Sequence, residues 1–262
     1  MELIISIAIG LAAGVLSGMF GVGGSTITTP FMRLFLNALG KIPVGTPLPI
    51  VIPTAISGAI VHYKEGMVRL KEGLACGLIG SFPGVIGAWL TKFFSGPQMM
   101  IMTSIFIILV AARFAYEGRG SKENEYQEKI DKKNEKITWP RIILIGFIVG
   151  LASGFLGVGG GPVLIPAFVI ILGINMHEAV ATSLLSISII AIPGSIAHYL
   201  LGNVDISLLI PIAIAAIIGA QIGARCSTKT QERRLRIGFT IFLLAIAIWL
   251  GVSEFFQLQF LF

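Results

Sequence analysis

Residues 14–32 read GVLSGMFGVGGSTITTPFM and residues 150–168 read GLASGFLGVGGGPVLIPAF, identical at 8 of 19 positions with an offset of 136. The offset continues without a gap. Residues 46–68 against 182–204 share 10 of 23 positions, including Gly58 with Gly194, His62 with His198, Tyr63 with Tyr199 and Gly66 with Gly202. Gly87-Ala88 then matches Gly223-Ala224. Chance apolar similarity does not hold one register this long or repeat the rare His-Tyr pair, so the chain is an internal duplication.

The duplicated unit is built for lipid. Of 262 residues, 55% are hydrophobic and 12% charged, mean hydropathy is +0.91, and there are 32 glycines. Such a chain cannot wet the surface of a soluble enzyme, whereas glycine suits helices that pack closely in a bilayer or break part-way across it. Residues 117–138 hold 12 of the 32 charged side chains, six of each sign. That stretch reads as a solvated linker between a first membrane repeat, 1–116, and a second, 139–262.

Roughly 20 apolar residues cross a bilayer as a helix, and each half offers five candidate segments. They fall near 3–20, 26–36, 43–63, 70–91 and 98–116, and near 139–156, 162–172, 178–201, 206–225 and 236–256. The second of each set is about eleven residues, near 16 Å as a helix and half the hydrocarbon thickness. It is therefore a half-helix or part of a longer tilted one. The apolar run from Leu3 to Phe20 has no basic stretch before it and reads as a retained helix, not a cleaved leader. Cys76 and Cys226 do not occupy matching positions, so no disulfide framework is implied.

Loop charges indicate orientation. The loop around 225–236 carries Arg225, Lys229, Arg233, Arg234 and Arg236, while its counterpart around 92–98 carries only Lys92. Conversely, 64–71 carries Lys64, Arg69 and Lys71, while 200–207 has no basic residue. Equivalent loops thus have opposite bias, and basic loops face the cytoplasm. The reading is two inverted-topology repeats, with the central linker cytoplasmic and both termini external; Arg33 and Lys41 run against it.

The chemistry is expected at the glycine motifs. Gly21, Gly23 and Gly24, with Gly157, Gly159, Gly160 and Gly161, end one helix and open the short one, and Pro30 and Pro166 follow at equal distance. Irregular backbone at membrane depth needs protein or a water-filled cavity around it, and a helix starting there attracts anions. Close packing of small residues is the competing reading. Hydroxyls gather nearby. Ser25, Thr26, Thr28 and Thr29 lie in the first half and Thr182, Ser183, Ser186 and Ser188 in the second, and Pro47, Pro49 and Pro53 loosen the helix near Thr54. Gln221 is the polar residue set deepest in an apolar run, one turn before Arg225. His62 and His198, each next to a tyrosine near a segment end, read as interfacial anchors, as do Trp89, Trp139 and Trp249. No acidic residue sits in mid-segment, and no nucleotide, metal or nucleophile motif occurs. The residues give no catalytic or metal site and no cofactor, and this chain alone does not hydrolyse ATP.

Two copies of a "GxxSGxxGVGGG...P" element, each followed by an "AxATS...G...HY...GNVD" stretch and "GAxxGA", resemble the sulfite exporter TauE/SafE family, also called toluene sulfonate uptake permeases. The second half carries the pattern almost fully, in Gly150 to Pro166, Ala179 to Asp205 and Gly219 to Ala224. The first departs with Ser25-Thr26 for Gly-Pro, Thr46-Pro47 for Thr-Ser and Glu65-Gly66-Met67 for Leu-Gly-Asn. The resemblance implies a secondary transporter in the cell membrane for small sulfur-containing or organic anions such as sulfite, sulfoacetate or other sulfonates.

The expected fold is therefore all-α and polytopic, with glycine-broken or re-entrant helices. The expected substrate site is Gly21, Gly23, Gly24, Ser25, Thr26, Thr54, Gly157, Gly159, Gly160, Gly161, Thr182, Ser183, Ser186 and Gln221. Partners are a small anionic substrate and the lipid bilayer, with a homodimer left open and no nucleic acid. The competing functions are transport of another small ion or solute with Na⁺ or H⁺ coupling, and a non-transporting membrane assembly factor.

Overall fold

The computed structural model describes residues 2–36, 41–118, 139–157 and 159–259. In the first half, α1 (Glu2–Phe20) is followed by short α2 (Ser25–Phe35), single-turn α3 (Ile42–Gly45), α4 (Pro47–Lys64), α5 (Leu70–Leu90) and α6 (Gly96–Gly118). The second half has α7 (Trp139–Leu156), short α8 (Gly161–Ala167) continued by a π turn over Phe168–Leu172, α9 (Met176–Leu200), α10 (Ile206–Lys229) and α11 (Glu232–Gln259). No strand occurs among the described residues, and six helical spans there are long and apolar enough to cross a membrane. The protein is an all-α, multi-pass membrane protein. All ten segments anticipated from hydropathy are helices, and the short pair are half-helices. Of the linker expected over 117–138, the first two residues end α6 and residues 119–138 lie outside the described residues.

Local chemistry sets the helix boundaries. Asn175 caps α9 by accepting from the Glu178 N–H at 2.8 Å, and Asp205 caps α10 by accepting from the Ser207 N–H at 2.9 Å. Proline at the first turn of α3, α4 and α8 loses only an N–H with no partner inside the helix.

In lipid, helices gain little from the hydrophobic effect on meeting one another, so close van der Waals contact between small residues must hold them. Gly10, Gly14 and Gly18 of α1 lie against Ile212, Ala216 and Ala220 of α10, so the two helices run side by side in the same direction. Gly80, Gly84 and Gly87 of α5 meet Gly146, Gly150 and Gly154 of α7 in the same way. A side chain at Gly14 would strike the Ala216 carbonyl, and one at Gly150 the Gly80 carbonyl. These are the same contact under the offset of 136.

Helices α4 and α9 pack in opposite directions, with Gly58 against Leu184 and Gly194 against Leu48. Alongside α9 runs α5, with Gly73 against Leu185 and Gly77 against Ile189. Beside α4 runs α10, where the Ser57 hydroxyl donates to the Ile217 carbonyl at 3.0 Å. Thus α1, α4 and α10 point one way and α5, α7 and α9 the other. Because α1 and α4 agree in direction, the chain between them must double back, as it does through α2.

Two loop contacts tie the halves together. The Asp205 N–H donates to Thr46 Oγ1 at 2.9 Å and the Arg69 N–H to Thr182 Oγ1 at 3.1 Å, again equivalent positions. Arg69 also pairs with Glu178 at 2.8 Å.

The histidines correct the sequence expectation. His62 and His198 are fully buried and face inward, where Nε2 donates to the Gly18 carbonyl at 3.2 Å and the Gly154 carbonyl at 3.0 Å. Adjacent residues on a helix point about 100° apart, so Tyr63 and Tyr199 face outward and are exposed. Only the tyrosine of each pair sits like an interfacial anchor. Trp89, Trp139 and Trp249 are also exposed.

Candidate substrate site at the paired glycine breaks

At the first break the backbone turns at Gly21, Gly23 and Gly24, with φ of 70°, 78° and 84°. At the second it turns at Gly157, Gly159 and Gly160, with φ of 68°, 70° and 75°. This left-handed region penalises any residue with a Cβ, which explains why the motif is glycine twice over. After each break the short helix starts again, with Ile27 and Thr28 bonded to the Gly24 carbonyl and Val163 and Leu164 to that of Gly160.

The two breaks meet. Gly161 lies directly on the backbone of Val22, and a Cβ at Gly159 would stand 2.5 Å from Ser25 Oγ. Val51 of α4 and Ile187 of α9, equivalent residues, close over Gly23. Gly24 faces Thr54 and Ser17, and Gly160 faces Val149 and Ser153. A Cβ at Gly21 would stand 2.5 Å from Ser183 Oγ, while Gly157 packs on Val44. Thr26 is buried in the first turn of α2. One central locus therefore gathers Gly21, Gly23, Gly24, Ser25, Thr26, Thr54, Gly157, Gly159, Gly160, Gly161 and Ser183.

The hydroxyls there divide by what they already bond. Thr54 donates to the Ile50 carbonyl at 2.7 Å, and Ser183 to the carbonyls of Gly21 at 2.9 Å and Val180 at 2.8 Å. Thr28 is similarly bonded to Gly24. By contrast, Ser17, Ser25, Thr29 and Ser153 are fully or almost fully buried with no hydrogen-bond partner for their hydroxyls among the described residues. A buried hydroxyl without a partner is costly and calls for a physical account. Ser17 and Ser153 were not singled out by sequence reasoning, although their identity at equivalent positions inside the glycine motif marks them.

Three anticipated residues lie elsewhere. Thr182 accepts from Arg69, and Ser186 donates to the carbonyls of Gly73 at 2.9 Å and Thr182 at 3.1 Å, both on the α5 side of α9. Gln221 lies on the outer side of α10, in a cleft shared with Ser57, Lys64 and Arg225. That cleft places the basic ends of α4 and α10 at the same end of the molecule. Among the described residues no cluster of three or more His, Cys, Asp or Glu could hold a metal ion.

Paired helix breaks inside a multi-pass bundle are the arrangement of discontinuous helices found in many membrane transporters. The profile described as sulfite exporter TauE/SafE matches residues 6–250. The chain belongs to the sulfite exporter TauE/SafE family. It is 28% identical over 263 residues to the probable membrane transporter protein YunE of Bacillus subtilis, covering 94% of this chain and 96% of that one. It is also 27% identical to the probable membrane transporter protein YdhB of Bacillus subtilis (81% and 85% covered), and 27% identical to the probable membrane transporter protein MJ0441 of Methanocaldococcus jannaschii (88% of each). No solved structure matches the chain.

Proposed function

We propose that the protein is a secondary transporter of small sulfur-containing or organic anions such as sulfite, sulfoacetate or other sulfonates, bound where the two glycine breaks meet. The observation that carries this reading is the group of buried, unpartnered hydroxyls of Ser17, Ser25 and Ser153 around those breaks. Each is a donor with no acceptor among the described residues, Ser17 and Ser25 beside the positive end of the α2 dipole and Ser153 against Gly160 at the second break. Hydrogen bonds to a charged group are worth about 1.5–3 kcal/mol each, so several together offset a desolvation penalty of several kcal/mol. A sulfonate offers three acceptor oxygens to such a cluster. The short helices and their breaks come from both halves of the chain, so rocking of one half against the other would open the locus to either side.

The same proposal includes two inverted repeats in the cell membrane, with the linker 117–138 cytoplasmic and the termini external. It is supported by the opposite directions of the equivalent helices α4 and α9, by the doubling back between α1 and α4, and by the two basic loops lying at one end. Uptake of labelled sulfite and sulfonates into proteoliposomes, with proton, sodium and voltage gradients imposed separately, tests the function. The expected result is flux competed by sulfonates and not by chloride or acetate. Folded protein that carries none of these anions under any gradient overturns it.

A further inference from the structure

We propose that the cleft between the last turns of α4 and α10 is a second binding site, taking an oxyanion of the phosphate or sulfonate kind at the membrane boundary. It is separate from the glycine breaks and does not depend on what they carry. The cleft encloses about 380 Å³, within the range of about 300–1,000 Å³ of small-ligand pockets. Lys64 of α4 and Arg225 and Lys229 of α10 line it, against the single carboxylate of Glu65. None of these three cationic side chains has a hydrogen bond or ion pair among the described residues. Three cations against one carboxylate leave the cleft net positive, and an anion between them removes the remaining repulsion.

Charges that only orient the chain would explain cations at helix ends, but not what lies beneath them. Gln221 sits one turn deeper than Arg225, exposed on a helix face whose other exposed residues include Ile214, Ile218 and Ile222. An amide at that depth has little water to satisfy it, so a polar group reaching down from the boundary is its natural partner. The Ser57 hydroxyl, deeper still, is already committed to the Ile217 carbonyl. Four donor side chains therefore converge from two helices, and Gln221 finds its role here.

The duplication supplies an internal comparison. At the offset of 136, Gln221, Arg225 and Lys229 correspond to Val85, Trp89 and Phe93, and Lys64 and Glu65 to Leu200 and Leu201. Those equivalent positions are apolar and aromatic, and the one cation on that side, Lys92 in place of the lining Thr228, lies over the Trp89 ring at 5.6 Å, so the cluster of cations with a deeper amide belongs to one cleft alone. Basic pockets between transmembrane helices are a known way of holding anionic lipid head groups. A soluble oxyanion presents the same oxygens.

The test is thermal unfolding of the full chain in two settings: nanodiscs of phosphatidylcholine with increasing phosphatidylglycerol, and neutral detergent with increasing sulfate or phosphate. Saturable stabilisation is expected in at least one, the first assigning the site to a lipid head group and the second to a soluble anion. In the combined variant Lys64→Gln, Arg225→Gln, Lys229→Gln the apparent affinity is expected to fall by about tenfold or more, as charge-assisted hydrogen bonds are lost. Lys71→Gln, which removes a cation of the same surface from outside the cleft, is expected to leave it unchanged. Gln221→Leu keeps every charge and is expected to weaken binding if the combined variant does not fold. Equal stabilisation of wild type and cleft variants, or none in either setting, overturns the proposal. Because the readout is unfolding and not flux, its failure is distinguishable from failure of the central transport site.

Discussion

Ser25 differs from its neighbours in what its hydroxyl lacks. Thr28 and Thr54 return their protons to a carbonyl in the preceding turn, the usual resting place for a hydroxyl in a membrane helix. Ser25, with Ser17, does not, and both are fully buried. Removing a donor that serves only a ligand costs the fold nothing, so Ser17→Ala with Ser25→Ala should leave the unfolding temperature in detergent within error of wild type. The same pair should lower sulfonate flux by about tenfold or more, the worth of one charge-assisted bond. A parallel loss of stability would mark these hydroxyls as structural. Asp205 gives the opposite case, a group whose whole role is local. Its carboxylate accepts from the Ser207 hydroxyl and the N–H groups of Ser207 and Leu208, and the Ser207 hydroxyl chiefly holds its pKa below the ordinary carboxylate value. Replacing the cap with Asp205→Ala should cost about 1 kcal/mol. Since the folded pKa is depressed, this contribution is present above the unfolded pKa and lost as pH falls through the folded one. Melts in detergent should show the wild-type advantage intact near neutrality and shrinking only in the acid range below the ordinary aspartate pKa of about 3.9.

Between helices, the glycine stripes decide which substitutions the bundle accepts. At Gly150 a side chain would enter the backbone of α5 at Gly80, which cannot move aside, whereas at Gly194 the nearest atom is a Leu48 methyl at 3.6 Å. Gly150→Val is expected to lower stability by about 2–3 kcal/mol or to block assembly, as overpacking does. Gly194→Ala should be neutral or slightly stabilising, because alanine is the better helix former by roughly 0.5–1 kcal/mol. Calorimetry of both variants in one detergent would check the contrast, and equal effects would contradict the packing described. The half-helices follow other logic. Their lengths were readable from hydropathy, and their starts from the glycines that permit positive φ. That Gly161 rests on Val22 was not readable, since nothing in either motif names its spatial partner.

The arrangement of all the helices makes a prediction about sides. Lys64 and Lys229 line one cleft, so the loops that follow α4 and α10 share a face, while the loop after α5 leaves from the far end of a helix that runs the other way. In a background lacking Cys76 and Cys226, Lys71→Cys and Lys229→Cys should react with an impermeant thiol reagent from the same side of sealed vesicles. Lys92→Cys should react from the other. Labelling of all three from one side would contradict the bundle.

Much of this architecture lay in the linear order of residues. Membrane residence follows from composition, because a chain that is 55% hydrophobic has no other stable solvent, and the duplication follows from one offset held across both halves. Glycine motifs located the breaks because only glycine takes that backbone shape cheaply. Family resemblance came from the same motifs. Tertiary packing alone separated the hydroxyls into bonded and unbonded, turned His62 and His198 inward onto the Gly18 and Gly154 carbonyls, and moved Gln221 from the central locus to an outer cleft. The reason is common to all three. A hydrogen-bonding group in a membrane protein takes its role from whichever group reaches it first. His62 meets the Gly18 carbonyl of a different helix and Gln221 a cleft shared with the end of α4, each at a distance along the chain that no local pattern records.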